Sequence, residues 1–523
     1  MSDTVYLVSF DTDRIKEYIF ATTDLKKIRG ASTLLEFLNQ EKTLQVIKNT
    51  CSAAGFDIPD EKIVTGGGAA MAIVPTEELA QHVKVAVERL YRMETITGSI
   101  TGTCLEIPAA DLETPNFRHH VAQLSAKLRS AKDSKGHQPL FPLTAYTRPC
   151  SACARHPGIK LDPYDSAQAL CQSCWKKHEW NLTGKNHFRE GLHDHISDQQ
   201  REYAAWLDMK FPEDFNDIGD TSRPTGYLGF ILADGNGIGS LLEDMPSFGA
   251  YHNFAVQLDQ IVRRVTYRAL LNGLRPRQGI APFEILLMGG DDLMVVVAAD
   301  AALEVTLKIV EDFEVEANAL AYSPEVGLPK EVHLSMSAGV VIAHDSFPIK
   351  AMHDLASDLL KSAKRASPQL GNKGTIDFMV VTGAATAGLE VVRDKVLTDS
   401  SFAVAPTGSD KFILTERPYT TCQLRKLLNH IRRFKQQKFP SKTLHTLYEA
   451  MFQSKVQAQF NTIAALARAK SEHRELVFNF FDELGVSRRL VPWRENQNKE
   501  FSSPLGDLVE IYPFVCKRGD YAE

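Results

Sequence analysis

The chain has 523 residues, room for about three to four domains. Its 44% hydrophobic and 24% charged content is that of an ordinary globular protein, and a net charge of −6 with a pI near 6.3 excludes a uniformly basic nucleic-acid coat while leaving room for a local basic surface. No apolar stretch nears the ~20 residues that span a bilayer, the Met1-Ser-Asp-Thr4 start is unlike a signal peptide, and eight cysteines are too few for a disulfide framework, so a cytoplasmic protein is expected.

In chain order, Val5–Phe10 reads as a short apolar strand. Ile15–Leu38 carries helical periodicity with Gly30 as an interruption, and Ile63-Val64 and Met71–Val74 flank a glycine turn as a hairpin. Glu77–Met93 is amphipathic and Thr95–Ile107 reads as strand. The same order returns later. Tyr227–Ala233 is a predicted strand, Phe254–Leu271 a helix, and Phe283–Met288 with Leu293–Val297 a hairpin. Ala301–Asn318 (helix), Val332–Ala343 (strand) and Ile349–Arg365 (helix) complete the second unit. After about residue 390 the pattern is mostly helical, through Leu424–Phe434, Thr443–Ala464 and Arg474–Phe481.

The recurrence is a duplication. A shift of 223 places Asp234 on Asp11, and Gly289-Gly-Asp-Asp-Leu-Met294 on Gly66-Gly-Gly-Ala-Ala-Met71, so the second unit has Asp291 and Asp292 where the first has Gly68 and Ala69. A hairpin between helices predicts an α+β fold with helices on one face of each sheet. The expected domains are 1–139, a degenerate copy; 140–222, a cysteine-bearing insert and linker; 223–390, the copy that kept its carboxylates; and 391–523, a helical C-terminal domain.

Asp291 and Asp292 share a turn, and like charges about 4 Å apart cost about 4 kcal/mol at an effective dielectric of 20. With Asp234 added, something positive must offset them, and hard oxygen ligands on a sheet edge favour Mg²⁺ or Mn²⁺. Mg²⁺ completes its shell with water and substrate phosphates, which matches a nucleoside triphosphate. Two such ions would activate a ribose 3′-hydroxyl and stabilise the leaving pyrophosphate. Gly289 and Gly290 allow positive φ and close approach of a nucleotide; Gly235, Asn236 and Gly237 offer backbone N–H groups to phosphates; Lys364 ends a helix within reach of a triphosphate. The bland alternatives are an Asp-rich turn that caps a solvated hairpin and a lysine at a solvated helix end.

Cys150-Ser-Ala-Cys153 and Cys171-Gln-Ser-Cys174 have the spacing of a four-thiolate structural Zn²⁺ site, with His156 as a lesser substitute ligand and a redox dithiol as the weaker reading. No acidic residue lies between Glu416 and Glu449, a stretch holding Arg425, Lys426, Arg432, Arg433, Lys435, Lys438 and Lys442. That run suits phosphates, an acidic partner or a solvated helix face.

The segment from Asp11-Thr-Asp-Arg-Ile-Lys-Glu-Tyr-Ile-Phe20 through Leu25-Lys-Lys-Ile-Arg-Gly-Ala-Ser-Thr-Leu-Leu35 resembles the opening of the large, Cmr-type subunit of type III CRISPR effector complexes. Ser337–His344, Phe347-Pro-Ile-Lys-Ala351 and Leu359-Leu-Lys-Ser-Ala-Lys364 resemble its second palm, as does the order palm, four-cysteine module, Gly-Gly-Asp-Asp palm, helical C-terminus. The resemblance implies two tandem ferredoxin-like palms and cyclase chemistry, with ATP joined 3′ to 5′ into cyclic oligoadenylate when target RNA binds. It implies that Asp234, Asp291 and Asp292 hold the metals, and that the partners are ATP, other type III subunits and guide and target RNA, with no membrane. The first palm begins at residue 5, so a form lacking the N-terminal HD nuclease domain is expected. Asn236 replaces a second Asp often found there. The alternatives are a non-catalytic scaffold that binds RNA and subunits, and a stand-alone cyclic (di)nucleotide synthase, including one that uses GTP.

Overall fold

The computed structural model describes residues 4–136, 143–162, 165–196, 206, 209–383, 388–393, 397–399, 411–452, 455–486, 492–495 and 500–516. The first unit runs β1 (Thr4–Asp13), α1 (Ile15–Ile19), α2 (Leu25–Phe37), α3 (Thr43–Ala53), β2 (Ile63–Gly66), β3 (Ala69–Val74), α4 (Glu77–Thr95), β4 (Ser99–Pro108) and α5 (Phe117–Ser134). Its antiparallel sheet has the order β2-β3-β1-β4. An insert follows, with the two-residue strands β5 (Lys160–Leu161) and β6 (Ala169–Leu170), then α6 (Gln172–Ile196) and α7 (Phe215–Thr221).

The second unit contains β7 (Tyr227–Gly235), α8 (Ile238–Glu243), α9 (Phe248–Gly273), β8 (Phe283–Gly289), β9 (Asp292–Ala298), α10 (Ala302–Ala321), β10 (Met336–His344) and α11 (Ile349–Ala366). Strands β8-β9-β7-β10 repeat the order β2-β3-β1-β4, and the sheet continues through β11 (Thr375–Val380), parallel to β10, to Tyr419–Thr420. Register repeats as well. Ala69 pairs with both Asp11 and Gly66, and Asp292 pairs with both Asp234 and Gly289. The two tandem palms are thus α+β units built on one plan.

Helices cover both faces of the second sheet, not one. Ile231, Ala233, Val295 and Val297 pack with α9 and α10. Phe230, Leu232, Met294 and Val296 join α11 and the first palm in a shared core. The reason lies in the strands: Leu293-Met-Val-Val-Val-Ala298 is apolar throughout and has no polar side to give to water.

Helix α2 joins the first palm both to the insert helix α6 and to β8 of the second palm. Asp24 caps it, accepting from Lys26 N at 2.9 Å. The predicted interruption at Gly30 is not there; the chain breaks over residues 20–24, and Gly30 lies inside the helix. A Cβ at Gly30 would sit 1.7 Å from the Lys177 carbonyl oxygen, so glycine is what lets α2 and α6 touch backbone to backbone. The residue before Gly30, Arg29, is fully buried. Its Nε and Nη2 each donate at 2.6 Å to Glu284 on β8, its Nη1 at 2.9 Å to Asn181 on α6, and Nη2 at 2.8 Å to the Pro212 carbonyl.

The C-terminal region is mainly helical: α12 (Thr421–Gln436), α13 (Ser441–Met451), α14 (Lys455–Arg468) and α15 (Ser471–Glu483). It also holds a small sheet of strands two or three residues long, too short to leave a periodic signal. The basic run on α12 faces acids from its neighbours. Arg425 pairs with Glu311, Arg432 with Glu304 and Arg433 with Glu483, while Lys435 lies over the Tyr512 ring. Much of that positive charge therefore docks α12 on α10 and α15. Among the described residues no helix is long and apolar enough to cross a membrane.

Removing one member of a buried ion pair strands the other in a medium that solvates it poorly. Arg29→Ala is expected to destabilise the protein by about 3–5 kcal/mol, and Arg29→Met with Glu284→Leu by clearly less, measured by urea and thermal unfolding.

Candidate active site

The site is assembled by the second palm's hairpin. Asp234 lies at the end of β7, directly opposite Asp292, the first residue of β9. The two residues between Gly289 and Asp292 form the turn, with Gly290 at φ 62° and Asp291 in the ordinary negative-φ half of the map. That is the pattern of a type II′ turn, which needs glycine first and tolerates aspartate second. The first palm's turn differs: Gly67 and Gly68 have φ of 59° and 81°, a type I′ pattern that disfavours an aspartate at the second place. The two turns meet across the palm interface. A Cβ on Gly290 would lie 3.1 Å from Gly67 Cα, and one on Gly67 would lie 3.2 Å from Gly290 Cα.

All three sequence-predicted carboxylates converge. Burial, then the charge of Asp234 and a hydrogen bond with it, then Asp292, push Asp291 up to about 7. Asp292 is pushed up to about 6, by burial first, with Lys16 pulling the other way. Lys364 Nζ donates to Asp234 Oδ2 at 2.5 Å and to the Gly235 carbonyl at 2.9 Å. Lys16 Nζ lies 3.9 Å from Asp292 Oδ2. Lys16 comes from the first palm, and only the packing of α1 on the second palm could have revealed it.

The glycines and Asn236 surround this cluster. A Cβ on Gly235 would fall 2.8 Å from Asp291 Oδ2, so any larger residue displaces the carboxylate. Gly237 at φ 71° starts α8. The Asn236 side chain does not enter the cluster; its Nδ2 donates to Ser335 Oγ at 2.8 Å and Ser367 Oγ at 3.3 Å. Three carboxylates face two ammonium groups, and Asp292 Oδ1 is buried with no hydrogen-bond donor. An all-oxygen donor set with excess negative charge and an unsatisfied acceptor fits a hard divalent cation, Mg²⁺ or Mn²⁺.

The second predicted metal site is compact. The sulfurs of Cys150, Cys153, Cys171 and Cys174 lie within 4.8 Å of one another, with Cys153 Sγ 3.8 Å from Cys171 Sγ. A tetrahedron with Zn–S bonds of about 2.3 Å has S–S edges of about 3.8 Å. Hydrogen bonding from Cys153 drives Cys150 well below the ordinary thiol value, and hydrogen bonding with Cys150 drives Cys174 well above it. Four thiolates at this spacing need a cation between them, and Zn²⁺ fits.

Residues 227–371 match the family described as Cas10/Cmr2, second palm domain. The second unit is a Cas10/Cmr2 palm. No curated protein matches the chain. Over the whole chain, solved structures share the fold. A Csm1–Csm4 cassette in complex with cA4 matches at 13% identity with a TM-score of 0.58, covering 98% of this chain and 70% of that one. A cassette in complex with AMPPNP matches at 15% identity and a TM-score of 0.56, with the same coverage. Csm1 from T. onnurineus matches at 13% identity and a TM-score of 0.56, covering 99% of this chain and 70% of that one.

Folded Asp291 and Asp292 titrate near 7 and 6, against about 4 when unfolded. The native state therefore holds more protons between these values. In buffer free of Mg²⁺ and Mn²⁺, the pair's contribution to stability is greatest below about pH 4 and falls as pH rises to 7. The melting-temperature gain of Asp291→Asn over wild type is thus expected to be larger at pH 8 than at pH 5, and added Mn²⁺ should narrow it by stabilising wild type. At the other site, elemental analysis is expected to find one zinc per chain, lost in Cys171→Ser together with cooperative melting of the insert.

Proposed function

We propose that this chain is a metal-dependent nucleotidyltransferase that converts ATP into cyclic oligoadenylate within a type III CRISPR effector complex, switched on by target RNA. The observation that carries the reading is the convergence of Asp234, Asp291 and Asp292 at one sheet edge, with an unsatisfied Asp292 oxygen, in a Cas10/Cmr2 palm. The matched structures, cassettes with cA4, cA3, ATP and pppApApA, support the choice of adenine nucleotides and a linear-to-cyclic product. Those with Csm4 support a partner subunit.

In this reading Asp234, Asp291 and Asp292 hold Mg²⁺ or Mn²⁺. When bound, the ions lower the pKa of an attacking 3′-hydroxyl and screen the charge on the phosphoryl group. Lys364, now bonded to Asp234 Oδ2 and the Gly235 carbonyl, would exchange Asp234 for a triphosphate oxygen if that carboxylate held a metal ion. The N–H groups around Gly235, Asn236 and Gly237 complete the phosphate cradle, while Gly289 and Gly290 leave room for the sugar. The first palm walls the pocket and adds Lys16. The zinc module braces the palms without entering the chemistry. The division at 1–139, 140–222, 223–390 and 391–523 assigns these roles to separate domains.

The test is incubation of the full chain, alone and assembled with partner subunits, guide and target RNA, with ATP and Mg²⁺ or Mn²⁺, with products read by mass spectrometry. Asp291→Ala/Asp292→Ala is expected to lower product formation by about 100-fold or more, and Lys364→Ala to raise the KM for ATP by about tenfold. A double variant as active as wild type, or GTP outcompeting ATP, overturns the reading.

A further inference from the structure

The turn that carries Asp291 and Asp292 is gripped from outside the carboxylate cluster. Gly290 N donates at 2.7 Å to Asp259 Oδ1, on helix α9. The other oxygen of Asp259 accepts from Arg263 Nε at 2.8 Å, one turn along the same helix. The same guanidinium forms an ion pair with Glu36, Nη2 lying 2.7 Å from Oε1, and donates Nη2 to the Met288 carbonyl at 3.3 Å. Glu36 belongs to α2 of the first palm. All three side chains are 14–19% exposed, so water competes weakly for these bonds.

The duplication explains why two acids are here. The 223-residue shift that relates the palms places Glu36 on Asp259 and Gly67 on Gly290. Glu36 and Asp259 are therefore counterparts, brought face to face where the glycine turns touch. Left alone they repel. Arg263, whose own counterpart is Gln40, supplies one cation between both. Its guanidinium fork can serve two carboxylates and a carbonyl at fixed angles, which a lysine cannot.

We infer that Asp259 is the positioning residue of the catalytic turn, and that Arg263 locks it to Glu36 so that the seating of the first palm sets the placement of Asp291 and Asp292. A two-residue turn has few degrees of freedom, and the Gly290 N–H is its one backbone donor tied to a helix side chain. Fixing it fixes the chain direction into Asp291. A shift of the first palm pulls on Glu36, and through the guanidinium on that single hydrogen bond. This inference rests on the metal-binding role proposed for the turn but not on the identity of the nucleotide.

The test uses the full chain and reads three quantities: amide hydrogen exchange of the segment Met288–Asp292, Mn²⁺ affinity by calorimetry, and kcat and KM for ATP. Asp259→Ala is expected to speed exchange of the turn by about tenfold, weaken Mn²⁺ by about tenfold and lower kcat by about 30-fold with KM within about threefold. Asp259→Asn keeps the acceptor for Gly290 and is expected to remain within about threefold of wild type in Mn²⁺ affinity. Glu36→Gln, on the other palm, should weaken Mn²⁺ by about threefold. Unchanged exchange and affinity in Asp259→Ala overturns the inference, as does an Asp259→Asn protein as impaired as Asp259→Ala. Should Asp259→Ala fail to fold, the Asn and Glu36→Gln variants decide: Mn²⁺ affinity unaltered in Glu36→Gln removes the link to the first palm. If Mn²⁺ binding responds as expected but wild type makes no nucleotide product, the nucleotidyl-transfer reading fails and the positioning role stands.

Discussion

A single buried guanidinium holds the architecture together. Arg29 bonds the start of β8, the middle of α6 and the carbonyl of Pro212 from one position on α2, so both palms, the insert helix and the linker meet on it. Such a pair contributes less net stability than an apolar contact of equal size, because burying two charges costs about what their attraction returns. Its value is directional. Apolar surfaces slide at small cost, but four hydrogen bonds from a rigid plane admit one seating of α2. That seating presses the two glycine turns together and brings Lys16 near Asp292.

The two palms also show how a duplicated site diverges. Lys132 and Lys364 are each the sixteenth residue of their helices, α5 and α11, and each bonds the strand aspartate, Asp11 or Asp234, at 2.5 Å. Two residues on, Asp13 accepts from Ser99, Thr101 and Lys135, where Asn236 bonds Ser335 and Ser367. The first palm has thus balanced two carboxylates with two lysines. The second has moved its acids to the hairpin, where charge exceeds compensation and burial lifts Asp291 and Asp292. The difference is electrostatic, on a backbone that kept its register. The turn follows suit: two glycines of positive φ in the first palm, one in the second, since an aspartate at the second place favours the II′ form.

Charge elsewhere is spent on assembly. The run from Arg425 to Lys435 looks like a nucleic-acid surface in one dimension, yet Glu304, Glu311 and Glu483 come from helices distant in sequence to meet it. Lys177 is buried beside the cysteine cluster with its Nζ over the Tyr18 ring at 3.9 Å, a cation placed where four thiolates would leave net negative charge around a divalent ion.

The sequence alone carried the repeat, the palm strands, the neighbouring placement of the four cysteines and the helical C-terminus. These rest on local rules: apolar periodicity, glycine at turns, and cysteine spacing that bends two thiolates toward one point. It misjudged Gly30, because a glycine inside a helix looks like a break until α6 is seen against it. It expected one covered sheet face, because periodicity within a strand does not say how many layers pack on it. Lys16, Glu36, Asp259 and Arg263 carry no local signal, being ordinary residues on amphipathic helices. Tertiary structure alone made them part of the site, by stacking two copies of one fold turn to turn.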